Sequence, residues 1–218
     1  MSIARPMFVV IVTFGFAWAS AYGDTALIST ATMKGGVPVK SWKALRDDRV
    51  VKQDLDYSCG AASLATILRE FYGVNVTEKV VLERMEKDGA ASFADLAQVA
   101  NEYGFRAQGV ALSFEKLHTL KIPAIAYLKY RGDDHFSVIR GFGVDGRVWL
   151  GDPSLGNRQF SAAQFKAMWE TRADTRLRGK ILLIVPRDTQ SVAVDRRFFH
   201  PPERREALAV ELLGLRTP

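Results

Sequence analysis

A single cysteine, Cys59, limits how this chain of 218 residues can be stabilised, because one thiol cannot form an internal disulfide. The chain must therefore fold around a hydrophobic core, and its 48% of hydrophobic residues can supply one. This length predicts one globular domain with extensions. The formal net charge of +6 comes from basic residues scattered among acids, which argues against nucleic-acid binding.

The first residues have the pattern of a secretory signal peptide. Arg5 precedes an apolar run from Met7 to Phe16, and Ala19-Ser20-Ala21 supplies the small residues of a cleavage site. We expect cleavage after Ala21 and a mature chain that begins at Tyr22. The apolar run is short for a bilayer-spanning helix, although an uncleaved anchor is the alternative. No stable membrane span is expected after cleavage.

The predicted elements follow the order of an α+β fold, in which helices precede an antiparallel sheet. An apolar pattern at helical spacing predicts a first helix that begins beside Cys59 and ends at Tyr72-Gly73. A second helix is predicted from Thr77 to Lys87, and the capping box of Ser92 and Asp95 predicts a third. The predicted strands are 50–53, 105–111, 124–128, 135–140, 147–150 and 180–185. Short helices are predicted at 113–120 and at 161–169, the second from a capping box of Ser161 and Gln164.

Cys59 is the candidate nucleophile. The partial positive charge at a helix N-terminus stabilises a thiolate, particularly beside a protonated histidine. The small residues Ser58 and Gly60-Ala61-Ala62 keep bulk away from the sulfur, so a substrate backbone could approach it. The alternative is a buried cysteine that acts as a small hydrophobe, but such a residue would sit more comfortably inside the helix.

His135 is the candidate base among three histidines. It leads into the apolar segment Phe136 to Ile139, so its side chain can be fixed at the entry of a strand and face a cleft. His118 lies in a short helical segment and His200 precedes two prolines, and both have the pattern of surface histidines.

Asp152 is the candidate group that orients the imidazole of His135. A loop from Gly141 to Gly146 would pair Arg140 with Arg147 and set His135 directly opposite Asp152. A tight Asp145-Gly146 turn would instead put Asp152 opposite Ile139. Gly143 favours the longer loop. The alternative for Asp152 is a purely structural role, because an Asp-Pro pair is also a common turn.

Gln53 is the candidate donor to the tetrahedral oxyanion that acyl transfer creates. It precedes Cys59 closely enough for the intervening loop to return its amide to the start of the helix.

Three segments together carry a family resemblance, and they are Gln53 to Leu64, His135 to Val138 and Asp152 to Gly156. They resemble the bacteriocin-processing, double-glycine peptidase family of papain-like cysteine peptidases over roughly Asp48 to Pro186. The resemblance implies a papain-like α+β fold, with N-terminal helices that carry the nucleophile packed on an antiparallel sheet. It also implies catalytic roles for a set of four residues in this chain order, namely Gln53, Cys59, His135 and Asp152.

The chain departs from the best-known members, which are domains of export transporters, because it lacks transporter helices and an ATP-binding motif. It resembles the stand-alone exported members found beside systems that secrete functional amyloid. This likeness implies a periplasmic location and a secreted polypeptide substrate cleaved after small residues such as Gly-Gly or Gly-Ala. Partners in an amyloid or peptide secretion system are expected, whereas no cofactor or metal is expected.

We divide the chain into a signal peptide at 1–21, an N-terminal extension at 22–47, a peptidase domain at 48–186 and a tail at 187–218. The tail ends in a predicted amphipathic helix at 207–215. Two alternatives use the same residues. One is a catalytically silent module that binds an exported client as a secretion chaperone, and the other is an acyltransferase that hands the acyl group to an amine instead of water.

Overall fold

The computed structural model describes residues 25–29, 34–38, 40–86, 89–171, 173–174, 178–188 and 192–200. The chain forms two compact units, residues 1–40 and residues 41–218. The first unit contains an antiparallel hairpin of strands β1 (Thr25–Ser29) and β2 (Lys34–Pro38). The predicted signal peptide and the predicted helix at 207–215 lie outside the described residues.

The second unit begins with helices. They are α1 (Trp42–Arg46), α2 (Cys59–Thr66), α3 (Glu78–Met85) and α4 (Phe93–Glu102), followed later by α5 (Phe114–Leu117) and α6 (Ala162–Trp169). A π-helical turn, Ile67–Phe71, extends α2. The predicted capping boxes are present at both Ser92 and Ser161, where the hydroxyl accepts from the backbone and a side chain returns to the cap.

The sheet of this unit has six strands in the order β3-β8-β4-β5-β6-β7, and each neighbouring pair is antiparallel. The strands are β3 (Phe105–Ala111), β4 (Ala124–Tyr130), β5 (Asp133–Phe142), β6 (Val148–Asp152), β7 (Gly156–Phe160) and β8 (Lys180–Pro186). Because β5 and β6 are antiparallel, the start of β5 and the end of β6 lie at the same edge of the sheet. The candidate site is built at this edge.

Both faces of the sheet are buried, and alternate residues of one strand belong to different core clusters. In β8, Leu182 and Ile184 pack with the helices α2 to α4, whereas Ile181 packs with Phe165 and Trp169 of α6. This explains the nearly continuous apolar sequence of β8, since a strand covered on both faces needs no polar alternation.

Several elements of the structure differ from the sequence predictions. Residues 50–53 do not form the predicted strand. Their backbone bonds to other groups instead, because the N–H of Val51 donates to Thr66 Oγ1 at 3.0 Å and the N–H of Gln53 donates to Pro153 O at 3.1 Å. Helix α1 and strands β1, β2 and β7 were not predicted. Strand β7 carries Asn157, Arg158 and Gln159 in its centre, a polar run that is atypical of strands.

The beginning of the predicted tail packs on the core. Phe198 is fully buried against the α2 cluster, in a 3-10 helix over Arg196–Phe199. The buried guanidinium of Arg140 donates to Phe198 O at 3.0 Å and to Asp48 O at 3.1 Å, so it ties both ends of the unit to β5. Within the described ranges, every helix is too short or too polar to cross a membrane.

Candidate active site

Cys59 is the first residue of α2 and carries a free thiol that is 7% exposed. Ser58 precedes the helix, but its hydroxyl does not cap it. That hydroxyl donates to Leu55 O at 2.7 Å and accepts the Leu55 N–H at 3.2 Å, which closes the loop in front of the helix. The N–H groups of the first helical turn therefore lack the usual side-chain cap, and their partial positive charge acts beside the sulfur.

Gly60 allows the start of α2 to approach β5. A Cβ at this position would lie 3.0 Å from Ala91 Cβ and 3.1 Å from the ring of Phe136, both closer than ordinary packing. The sequence interpretation assigned the small residues around Cys59 to substrate access. The structure shows that Gly60 allows α2 to pack closely on β5. This packing places Cys59 beside His135, the residue before Phe136.

His135 and Asp152 are in direct contact, with 2.8 Å between His135 Nε2 and Asp152 Oδ2. Cys59 lies close enough to His135 to raise the pKa of the imidazole. Since Nε2 serves Asp152, the ring nitrogen left for the sulfur is Nδ1. The side chains of His135 and Asp152 are only 15% and 6% exposed, so the three groups interact in a largely dehydrated setting.

The register that brings His135 to Asp152 differs from both predicted registers. Phe142 pairs with Val148, and a β-bulge between Ile139 and Gly141 shifts the ladder, which then ends at Val138 opposite Gly151. If the ladder continued by one residue, Asp152 would lie opposite residue 137. His135 is two residues from that position on the same face, so it is the diagonal neighbour of Asp152 rather than its direct partner. The prediction that Arg140 pairs with Arg147 is wrong, because Arg140 is the extra residue of the bulge.

The carboxylate of Asp152 is held from behind by the turn that follows it. Its Oδ1 accepts the backbone N–H of Ser154 at 2.9 Å and that of Leu155 at 2.8 Å. Gly156 closes the turn with a φ of +76°, a conformation that L-residues rarely adopt. One oxygen of Asp152 is thus fixed by the turn, and the other is directed at the imidazole.

These contacts determine the protonation of the pair. Burial lowers the pKa of His135, but hydrogen bonds and negative charge from Asp152 and Cys59 outweigh it and raise the pKa to about 9. For Asp152, burial raises the pKa, yet the bond to His135, its charge and the two backbone N–H groups bring the pKa below its usual value. The pair is therefore an imidazolium and a carboxylate at neutral pH.

Gln53 lies on the loop before α2, and both ends of its side-chain amide have hydrogen-bond partners there. Nε2 donates to Leu55 O at 2.8 Å and reaches Asp56 O at 3.4 Å, while Oε1 accepts the hydroxyl of Ser154 at 2.6 Å. The amide therefore joins the loop of Cys59 to the turn of Asp152.

Two residues of this site were missed by the sequence interpretation. Ser154 bonds to Gln53, and its place after Asp-Pro is a signal of an Asx turn that could have identified it. Glu78 is 4% exposed and accepts the N–H of Asp54 through both carboxylate oxygens, at 3.0 and 3.2 Å, which fixes the residue after Gln53. As the first residue of a capped helix, Glu78 gave no sequence sign of this role.

The other histidines lie elsewhere. His118 stacks on Phe142 with 3.9 Å between ring centroids and has an edge contact with Phe114, so it is a packed residue rather than a simple surface histidine. His200 is exposed, as predicted. It borders a cavity of about 670 Å³ lined also by Arg140 and Trp149, but Cys59 does not line that cavity. The cavity is therefore not the catalytic cleft.

The sequence profile of the peptidase C39 family matches residues 47–174 of the chain. Two similar proteins bear the name "Probable functional amyloid protease FapD". The one from Pseudomonas fluorescens is 35% identical over 166 residues, which are 71% of this chain and 71% of that protein. The one from Pseudomonas aeruginosa is 34% identical over 147 residues, which are 62% of this chain and 64% of that protein, so the match spans just under two thirds of its length.

A similar solved structure is the crystal structure of a double glycine motif protease from an AMS/PCAT transporter in complex with the leader peptide. It has a TM-score of 0.50 and 24% identity, and the match covers 63% of this chain and 90% of that chain. This likeness concerns the fold, and it confirms the predicted papain-like α+β class.

Proposed function

The chain belongs to the peptidase C39 family and is a cysteine peptidase, and from this premise we propose that Cys59 is the nucleophile and His135 the base with which it cleaves an exported polypeptide. Asp152 orients His135 in this proposal. The observation that carries it is the 2.8 Å contact between His135 and Asp152, combined with the closeness of Cys59, which raises the pKa of His135.

The reaction begins with a thiolate. The imidazolium of His135 and the uncapped start of α2 place positive charge beside the sulfur of Cys59, which favours its nucleophilic form. The sulfur attacks the scissile carbonyl carbon, and the carbonyl π electrons move onto oxygen. We assign the stabilisation of this oxyanion to the backbone N–H of Cys59 and the amide of Gln53.

His135 then transfers its proton to the leaving amine, and the carbon–nitrogen bond breaks to give a thioester on Cys59. Neutral His135 next takes a proton from water, whose oxygen attacks the thioester. Collapse of the second tetrahedral intermediate releases the carboxylate product and returns the thiolate and imidazolium. Throughout the cycle, Asp152 keeps Nε2 bonded, so that Nδ1 is always the nitrogen that exchanges protons with Cys59 and substrate.

The substrate part of the proposal is an extracellular or periplasmic polypeptide cleaved after small residues such as Gly-Gly or Gly-Ala, in support of amyloid or peptide export. It is supported by the two amyloid protease relatives and by the motif resemblance. The periplasmic location is supported by the N-terminal sequence pattern. Intact-mass measurement of the cell-fractionated protein tests this part, since we expect a mature chain that begins at Tyr22.

A panel of internally quenched peptides tests the activity itself. The peptides vary the two residues before the cleaved bond, and Gly-Gly and Gly-Ala members should be cleaved fastest by the wild type and not at all by Cys59→Ala. Cleavage that is equally fast in Cys59→Ala would refute the proposed nucleophile. Transfer of the acyl group to an added amine in preference to water would identify an acyltransferase, and tight peptide binding without turnover would identify a silent binding module.

A further inference from the structure

The hydroxyl of Ser154 is the closest polar contact of the Gln53 amide. Ser154 Oγ donates to Gln53 Oε1 at 2.6 Å, across a sequence separation of 101 residues. Ser154 itself is exposed, so this short bond is not a requirement of burial. We therefore look for the role of the Ser154 hydroxyl in what it does to its partner, the Gln53 amide.

Contacts at both ends fix which way the amide points. The amide oxygen accepts from Ser154 Oγ at one end, and the NH₂ group must face the loop carbonyls at the other end, because carbonyl oxygens can only accept. There it donates to Leu55 O at 2.8 Å, in the loop that leads to Cys59. Its second contact, to Asp56 O at 3.4 Å, is longer than a normal hydrogen bond, so one N–H is available for exchange to a stronger acceptor.

Ser154 has a second bond that is chemically separate from the first. Its backbone N–H donates to Asp152 Oδ1 at 2.9 Å, whereas its side chain serves Gln53. Removal of the hydroxyl therefore leaves the support of Asp152 in place. The two halves of the site, the imidazole with its carboxylate and the oxyanion donor, can be tested independently at this residue.

We propose that Ser154 is a positioning residue that orients the Gln53 amide so that its N–H faces the oxyanion formed at Cys59. The proposal rests on the proposed oxyanion role of Gln53. Without the hydroxyl, the oxygen end of the amide loses its hydrogen-bond donor, and the side chain can shift so that its N–H no longer faces the oxyanion. Ser154 acts through Gln53 and does not itself contact the substrate.

Two small reagents separate this role from a general effect on the site. p-Nitrophenyl acetate acylates Cys59 through a tetrahedral oxyanion, with loss of p-nitrophenolate, whereas iodoacetamide alkylates the same sulfur by displacement of iodide and forms no oxyanion. Ser154→Ala should lower the acylation rate about tenfold, as expected for a misplaced catalytic group, and leave alkylation within about twofold of wild type. The background rate measured with Cys59→Ala is subtracted, and Ser154→Thr, which keeps the hydroxyl, should restore most of the acylation rate.

A double-mutant cycle completes the test. In the Gln53→Ala background, Ser154→Ala should cause no further loss, because the amide it orients is gone. An undiminished loss in that background, an equal loss of alkylation, or a fully active Ser154→Ala would each overturn the proposal. If Gln53→Ala itself acylates as fast as wild type, the oxyanion role of Gln53 fails and this inference fails with it. A slow Gln53→Ala beside a fully active Ser154→Ala refutes only the role of Ser154.

Discussion

Asp152 Oδ2 lies 2.8 Å from His135 Nε2, while Asp152 Oδ1 is held by two backbone N–H groups of the following turn. The carboxylate therefore cannot swing away from the imidazole without breaking both turn bonds. Burial lowers the pKa of His135. The hydrogen bond and charge of Asp152, with a further contribution from Cys59, outweigh burial and raise this pKa to about 9. The turn after β6 thus holds in place the carboxylate that raises the pKa of the base.

The first prediction concerns the pH dependence of activity. Peptide hydrolysis should fall as the pH rises through about 9, since His135 then loses the proton it donates to the leaving amine. Asp152→Asn removes the carboxylate that raises the pKa of His135, so the fall in activity at high pH should begin at a lower pH. Asp152→Ala should lose most of the activity. The measurement is kcat/KM against pH for both variants, and an unchanged fall at high pH in Asp152→Asn would contradict the assignment.

The second prediction is a pH dependence of stability. The pKa of His135 is higher in the folded protein than its usual 6.5, so its stabilising contribution is fully present below about pH 6.5 and is lost as the pH rises through about 9. The unfolding free energy of wild type should therefore fall between pH 6 and 9.5 by roughly 2–3 kcal/mol more than that of His135→Gln. Urea unfolding at the two pH values measures this, with the exposed His200→Gln as a matched control that should behave as wild type.

The third prediction concerns the reactivity of Cys59. The positive charge of His135 favours the thiolate, so His135→Ala should slow alkylation by iodoacetamide at pH 7 by about tenfold or more. His118→Ala removes a histidine that packs on Phe142 and should leave the rate unchanged. Equal rates in wild type and His135→Ala would favour the interpretation of Cys59 as a small core hydrophobe.

The sequence predicts elements whose signals are local and misses those that depend on partners. The capping boxes at Ser92 and Ser161 locate two helix starts because both halves of each box lie within one turn. Strand β3 is predicted at its observed bounds, Phe105–Ala111. Strand β7 could not be predicted, because a polar edge strand is recognisable only once its partner is known.

The contact of His135 with Asp152 was anticipated from a register that the structure does not have. The bulge lies at Arg140, and the guanidinium of this residue bonds to the carbonyls of Asp48 and Phe198, which lie far away in the sequence. No local pattern encodes such a bulge. The two side chains still meet, because diagonal neighbours on one face of a sheet are within reach of long side chains.

The fourth prediction concerns Gln53. Loss of an oxyanion donor should lower the turnover of Gln53→Ala by roughly 10²-fold to 10³-fold, because the donor stabilises charge that exists only in the transition state. The fold and the alkylation rate of Cys59 should stay nearly unchanged, since Gln53 does not contact His135 in the observed hydrogen-bond network. Steady-state kinetics measures this, and an equal loss in substrate binding and turnover would indicate that Gln53 only positions the substrate.

The last prediction concerns Gly60, where packing and chemistry meet. A Cβ here would come within 3.0 Å of Ala91 and 3.1 Å of Phe136, so in Gly60→Ala these neighbours or the start of α2 must shift by a few tenths of an ångström. Overpacking of this kind costs about 1–3 kcal/mol of unfolding free energy. Because the start of α2 carries Cys59 and Phe136 is the neighbour of His135, we expect the strain to separate the sulfur from the imidazole, and alkylation at pH 7 should slow as well. Gly35→Ala is the matched control, since a Cβ there meets nothing within 4 Å. Urea unfolding and iodoacetamide kinetics measure the two effects. A Gly60→Ala protein as stable and as reactive as wild type would show that the close approach of α2 to β5 does not set the position of the thiol.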